Sequence, residues 1–243
     1  MFISVSIRWL GISAFVVETE KGVRILIDPN LSNNPWSPLS VGDVDRADLI
    51  LVSHGAEDHG IDDAIEIAKR NGAYLQVDSG LKHYAIEKGF PAERFRSGVV
   101  GEVEETSGIR VRNVAANHTM GIFTGQTLGF IIRTESGVGI YHTGDTAIFP
   151  YLKMIGELYR PDIMMINVSR KRSPTYPGMS VPMSPFEGVL AVQWVGCRVV
   201  IPMHFDPDSG DGEYFADLIR QNAPWCKPVV LRPGETHEYV LHG

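Results

Sequence analysis

Two imidazoles and two carboxylates fall within six residues of the stretch Val52-Ser53-His54-Gly55-Ala56-Glu57-Asp58-His59-Gly60. Imidazole nitrogen and carboxylate oxygen together make a donor set for zinc, manganese or iron. The stretch follows the apolar run Leu49-Ile50-Leu51-Val52, opened by Asp48. A run of that length, started by a charge and closed by a turn, reads as a buried parallel strand. The cluster then sits where the chain leaves the carboxyl end of a strand for a helix. Open α/β sheets carry their sites there.

His54, Asp58 and His59 keep the spacing of His-x-His-x-Asp-His, the signature of the metallo-β-lactamase superfamily, which this segment resembles. Ala56 stands where the signature has its second histidine. Further matches follow in the order of the family. Asp28 ends Val23 to Ile27 as Asp-Pro, and His118 follows Ile109 to Val114. Asp145 lies in Tyr141-His142-Thr143-Gly144-Asp145-Thr146, and His204 closes Val199 to Met203. The opening Trp9-Leu10-Gly11-Ile12-Ser13-Ala14-Phe15 and the closing Pro233-Gly234-Glu235 resemble a narrower group. That group includes L-ascorbate-6-phosphate lactonase and metal-dependent hydrolases. It often has histidine where this chain has Ile12.

The resemblance implies an α/β fold, the αβ/βα four-layer sandwich, with a site along the sheet edges. It also implies two metal positions. One takes His54, the missing histidine and His118; the other takes Asp58, His59 and His204; Asp145 bridges them. A methyl group donates no lone pair, so Ala56 weakens the first position. Glu57 is a poor substitute, because adjacent residues point in different directions. The expected state is one tightly held divalent ion, zinc first and manganese or iron next, with a second ion weak or absent. Asp58 and Asp145 are the expected catalytic carboxylates, Asp58 as ligand and orienter of water. Asp28 and His142 are expected behind the ligands, holding them by hydrogen bonds.

Composition bounds the rest. The 243 residues show no linker, repeat or composition break, so residues 1–243 read as one domain. A net charge of −7 argues against long nucleic acid. The N-terminus lacks the pattern of a signal peptide or spanning helix, so a cytoplasmic protein without a membrane partner is expected. Homo-oligomers fit the resemblance. Cys197 and Cys226 are too few for a disulfide framework and read as packing residues.

Strands are expected near 3–9, 13–19, 23–28, 48–53, 74–77, 109–116, 128–134, 138–143, 163–167, 198–202, 228–231 and 237–241. Helices are expected at 61–71, 79–88, 184–195 and 212–222, the third capped by Ser184 with Pro185 in its first turn. The loop from Asn30 to Val44 is long enough to be functional, with Trp36 as its lid candidate.

Ser169-Arg170-Lys171-Arg172-Ser173 is the one dense basic run. It reads either as a solvated loop or as an anion clamp, in which Arg170 or Arg172 grips a phosphate or carboxylate. Met179 and Met183 are pocket wall or loop packing, and Asp206 and Asp208 are turn residues after a ligand, with Asp206 a candidate partner behind it. His83, His237 and His242 read as exposed. The expected function is a metal-dependent hydrolase acting on a small anionic ester or lactone. The alternatives are a phosphodiesterase for cyclic or short nucleotides, and a weakly catalytic ligand-binding descendant.

Overall fold

A computed structural model describes residues 4–118, 125–177, 179 and 182–240. Each half of the chain begins as an antiparallel meander and continues as parallel strands joined by helices. The first half runs β1 (Ser4–Gly11), β2 (Ala14–Glu18), β3 (Arg24–Ile27), β4 (Leu49–Leu51), α1 (Ile61–Asn71), β5 (Tyr74–Val77), α2 (Ser79–Glu87) and β6 (Phe95–Ser97). The second runs β7 (Val103–Thr106), β8 (Ile109–Ala115), β9 (Leu128–Arg133), β10 (Gly139–His142), α3 (Tyr151–Tyr159), β11 (Ile163–Asn167), α4 (Pro185–Val195), β12 (Val199–Met203), α5 (Asp211–Asn222) and β13 (Lys227–Pro228). A last strand, β14 (Thr236–Val240), returns to pair with β1. Among the described residues this gives two seven-stranded sheets, ordered β14-β1-β2-β3-β4-β5-β6 and β13-β12-β11-β10-β9-β8-β7.

The layering follows from which faces are apolar. Trp9, Phe15, Ile25, Ile27 and Leu51 from the first sheet meet Phe130, Ile132, Ile140, Met165 and Ile201 from the second in a central core. The opposite face of the first sheet packs Leu26, Ile50 and Leu75 against Ile61, Ala64, Ile65 and Ala68 of α1. The outer face of the second packs Met164, Ile166 and Val200 against Leu152 and Ile155 of α3, Val192 of α4 and Phe215 of α5. Strands apolar on both faces are what a sheet covered on both sides requires. The result is the four-layer α/β sandwich.

Local signals set most element ends. Ser184 accepts from the amide of Glu187, whose carboxylate accepts from the Ser184 amide, a closed capping box ahead of α4. Gly72 and Gly196 end α1 and α4 in left-handed conformations. The elements absent from the sequence expectation are β6, β7 and α3. The first two are short edge segments with polar faces, which carry little alternation. In α3, Gly156 interrupts the helical pattern, and the reason is tertiary. A Cβ there would lie 2.5 Å from the Trp194 carbonyl oxygen of α4.

Residues 229–231 are a correction as well. Only Lys227 and Pro228 pair with β12, because the chain turns away toward β14. His237 is another, being a half-buried member of β14 opposite Ile7 rather than an exposed tail residue. His83 is exposed beside Glu87, and His242 lies outside the described residues. Cys197 and Cys226 are buried with their sulfurs 3.8 Å apart and unbonded. Among the described residues no helix is long and apolar enough to cross a membrane.

Candidate metal centre

Strands from both sheets end at one edge, and the chemistry-bearing residues follow them directly. Asp28 follows β3, His54 to His59 follow β4, Asp145 follows β10 and His204 follows β12. His118 lies three residues past β8. Hydrogen bonds across the seam bring these loops together. The Leu128 amide donates to the Ser53 carbonyl at 2.9 Å, and the His204 amide donates to the Ile12 carbonyl at 3.0 Å.

The six residues expected as ligands converge. His204 Nε2 lies 3.3 Å from Asp58 Oδ2 and 3.2 Å from Asp145 Oδ2. His59 Nε2 is 3.6 Å from Asp145 Oδ1, and His118 Nε2 is 3.8 Å from Asp145 Oδ2. The rings of His54 and His59 are 4.1 Å apart, and those of His54 and His118 5.2 Å. Two triads have ligand atoms mutually within 4.8 Å: Asp58, His59 and His204, and His54, His59 and Asp145. His59 belongs to both, while His118 belongs to neither and approaches Asp145 Oδ2, the oxygen that His204 also approaches.

A divalent ion fits this donor set on an observation internal to the structure. The Nε2 atoms of His54, His59, His118 and His204, and Oδ2 of Asp58, are buried without a hydrogen-bond partner. Buried polar atoms left unsatisfied are costly, and several pointing at one another call for a cation.

Behind the ligands lies a polar layer. Asp28, fully buried, accepts from the amide and hydroxyl of Ser53 at 2.7 and 2.8 Å and lies 2.8 Å from His59 Nδ1. The Ser53 hydroxyl is also 3.1 Å from Nδ1 of both His54 and His59. With Nδ1–H donated backward, each ring turns Nε2 toward the centre. His142 uses both nitrogens. Nδ1 accepts from the Gly144 amide and Nε2 donates to the Ser13 carbonyl, each at 3.1 Å. It thus holds the turn that presents Asp145 and is not itself a ligand. Gly144 in that turn has φ +58°, and a Cβ would meet the Leu128 carbonyl oxygen at 2.3 Å. Asn167 clamps the other side of the turn through the amide and carbonyl of Thr146.

Charge follows the same geometry. Burial opposes ionisation of Asp145 and Asp58, but the neighbouring imidazoles of His204 and His59 overcome it and hold both carboxyls low. Burial likewise works against charge on His204, but Asp145 and Asp58 raise it to about 9. His59 is held well above the usual range by Asp28 and Asp145 despite its burial. His54 is the opposite case: burial, reinforced by the charge on His59, drives it down to about 3. Ile12, Asp28 and His204 also have left-handed backbones, with φ of 53°, 45° and 63°. For a β-branched residue such as Ile12 this costs about 1–2 kcal/mol. Its carbonyl, taken by the His204 amide and by Trp9 Nε1, holds it there.

The remaining expectations divide. Arg170 donates from Nε to buried Asp211 at 2.5 Å, and its guanidinium lies 4.7 Å from the centre of the Tyr214 ring. This guanidinium ties its loop to the start of α5. Arg172 is exposed, with a 3.5 Å contact to the Pro177 carbonyl oxygen. Met179 and Met183 are fully buried, as packing. Asp206 accepts from the Ser173 hydroxyl at 2.7 Å and from the Asp208 amide, fastening the basic loop to the strand end that carries His204. Trp36 is half-buried in a loop anchored by Asn34 and by Asp63, which accepts from the Leu31 and Ser32 amides. Sequence reasoning missed Ser53, Asn167, Asn30 and Tyr176. Only Ser53, between the strand and His54, carried a signal in its position.

The description of the beta-lactamase superfamily domain matches residues 6–204. A UPF0173 metal-dependent hydrolase of Methanosphaera stadtmanae is 36% identical over 242 residues, covering 95% of this chain and 98% of that one. Another, from Methanobrevibacter smithii, is 34% identical over 245 residues and covers 96% of both chains. The solved structure of Igni18, a metallo hydrolase from the hyperthermophilic archaeon Ignicoccus hospitalis, matches with a TM-score of 0.83 at 29% identity, over 98% of this chain and 100% of that one. The chain belongs to the metallo-β-lactamase superfamily and, within it, to the UPF0173 metal-dependent hydrolases.

Proposed function

We propose that this metal-dependent hydrolase opens a small ester or lactone. The observation that carries the reading is the set of buried, partnerless ligand atoms on four converging loops. Asp58, His59, His204 and Asp145 would hold one ion tightly, and imidazole nitrogen with carboxylate oxygen is a donor set that suits zinc. His54, His118 and Asp145 would hold a second more weakly. An ion so held supplies Lewis acidity and lowers the pKa of water to about 7.

The chain's own residues do the rest. Asp58 stays ionised and can accept a proton from, or orient, an attacking water. Asp28 keeps His59 in one ring orientation. His142, held neutral by its burial, keeps the Asp145 turn in place. The expected anionic character of the substrate loses Arg170 to Asp211, which leaves exposed Arg172 as the guanidinium of that run able to meet an anion.

The test is to strip the protein with chelator, reload it with zinc, manganese or iron, and assay a generic ester, lactone and phosphodiester. The reading expects ester or lactone turnover that follows metal content. Turnover of the phosphodiester alone, or activity that survives chelation, would overturn it.

A further inference from the structure

Beside the metal ligands the described residues form a cleft of about 490 Å³. Its walls are Asn30, Ala56, Glu57, Tyr84 and Tyr176, with Asp62 and Asp63 at the start of α1. Ala56 lies between the ligands His54 and Asp58 and also lines the cleft. The signature that this segment resembles has an imidazole at that position. A methyl group in its place leaves most of that volume free, on a residue that borders both the cleft and, along the chain, two candidate ligands.

The chemistry of the walls is polar and one-sided. No Lys or Arg is among the lining residues. The carboxylate of Asp63 is taken by the Leu31 and Ser32 amides, and that of Asp62 accepts from the Tyr84 hydroxyl. Glu57 is exposed and has no ion-pair partner among the described residues, so its charge faces whatever enters. Asn30 is 1% exposed, and its Nδ2 has no hydrogen-bond partner among the described residues. An amide N–H held in that way beside a cavity calls for an acceptor from a ligand. Tyr176 shows that the cleft and the centre share one field. Burial raises its hydroxyl, and the negative charges of Asp58 and Glu57 raise it further.

We infer that this cleft is the recognition subsite for the part of the substrate flanking the scissile bond, and that it takes a neutral or cationic group able to accept a hydrogen bond. Ala56 sets its access and Glu57 its charge preference. The inference rests on the hydrolase reading. It separates the cleft from Arg172, so any anionic end of the substrate lies away from the cleft.

Three p-nitrophenyl esters, with acyl chains of matched length ending in a methyl, a trimethylammonium or a carboxylate group, test this on the zinc-loaded enzyme at low salt. The expected order of kcat/KM is trimethylammonium, then methyl, then carboxylate. One charge acting through water-exposed surroundings at about 5 Å is worth about threefold to tenfold, so Glu57→Gln should lower the ammonium ester and raise the carboxylate ester by that factor each, shrinking their ratio by about tenfold to a hundredfold, and Glu57→Lys should invert it. Ala56→Leu should raise KM for all three at unchanged zinc content. A wild-type preference for the carboxylate ester, or a ratio untouched by both Glu57 variants, would overturn the subsite. If wild type hydrolyses none of the three, the ester reading fails by itself. Calorimetric binding of the same trimethylammonium and carboxylate esters to wild type and Glu57→Lys then decides. Tighter ammonium binding that reverses in the variant supports the cleft, and equal or absent binding of the two overturns it.

Discussion

The two halves of the metal centre are built to different standards. On the side of Asp58, His59 and His204, carboxylates surround the imidazoles. Asp28 stands behind His59, and Asp58 and Asp145 flank His204 at 3.3 and 3.2 Å. On the side of His54 and His118, the hydrogen bond behind His54 comes from a hydroxyl, one motif position is a methyl group, and that residue, Ala56, lines a cleft. Charge-assisted bonds fix a ring's orientation and raise its basicity more than neutral ones do. The difference favours the proposal that metal affinity is greater on the side of Asp58, His59 and His204.

Several substitutions break or sharpen that contrast. The largest effect is expected from His59→Ala combined with His204→Ala. Elemental analysis should find the tight ion gone, and turnover should fall by at least about a hundredfold. Retained metal in the double variant would mean that the ion sits elsewhere. Asp28→Ala comes next, with about a tenfold to hundredfold loss of affinity confined to the tight event in a calorimetric titration. Equal weakening of both events would erase the distinction between the two sides.

Ala56→His sharpens the comparison from the other direction. It restores an imidazole to the poor side, so the weak event should tighten by about tenfold or more while the strong one stays put. Two equally tight ions in wild type would show that the methyl group costs nothing.

Proton release offers a subtler reading. In the metal-free protein His204 titrates at about 9 because Asp145 and Asp58 outweigh its burial, so it carries a proton at pH 7.5. His54, at about 3, carries none. Ligation requires the neutral ring, so loading the tight side should release protons and loading the poor side through His54 should not. The tight affinity should therefore climb as pH rises toward 9. Calorimetry at pH 7.5 in buffers of different ionisation enthalpy measures this, and zero release on the first event would contradict it. The smallest effect is expected at Arg170. Removing its side chain leaves Asp211 with Ser169 and the Arg170 amide, so Arg170→Ala should cost about 1 kcal/mol, or about 2–4 °C in Tm, with metal content intact. A large rise in KM for an anionic ester in that variant would restore the anion clamp.

Local sequence determined a good deal of this protein. Hydrophobic runs closed by Gly, Pro or Asp located eleven of the strands near their observed places, and Ser184-Pro185 and Gly72 located helix ends, because such signals act within a few residues. The six candidate ligands were legible because they lie on loops that leave the ends of apolar strands, and their order along the chain matched a family pattern. The parts that escaped depend on approaches between distant segments. Gly156 lies inside a helix because the end of α4 packs against it, and β6 and β7 pair at edges where side chains need no pattern.

The site divides the same way. Asp28 behind His59 followed from the motif, but the sharing of Asp28 by Ser53 and His59 is a fact of three dimensions. The basic run at 169–173 looked like an anion site because sequence shows charge without partners. Asp211, 41 residues away from Arg170, supplied the partner. The acidic cleft is the converse. Asn30, Glu57, Tyr84 and Tyr176 are unremarkable polar residues in the chain, and folding alone sets them around one cavity. Donor types and strand ends are local properties, which the sequence determines by itself. Which charges are already satisfied, and which space stays open, is decided only when loops from both sheets meet at one edge.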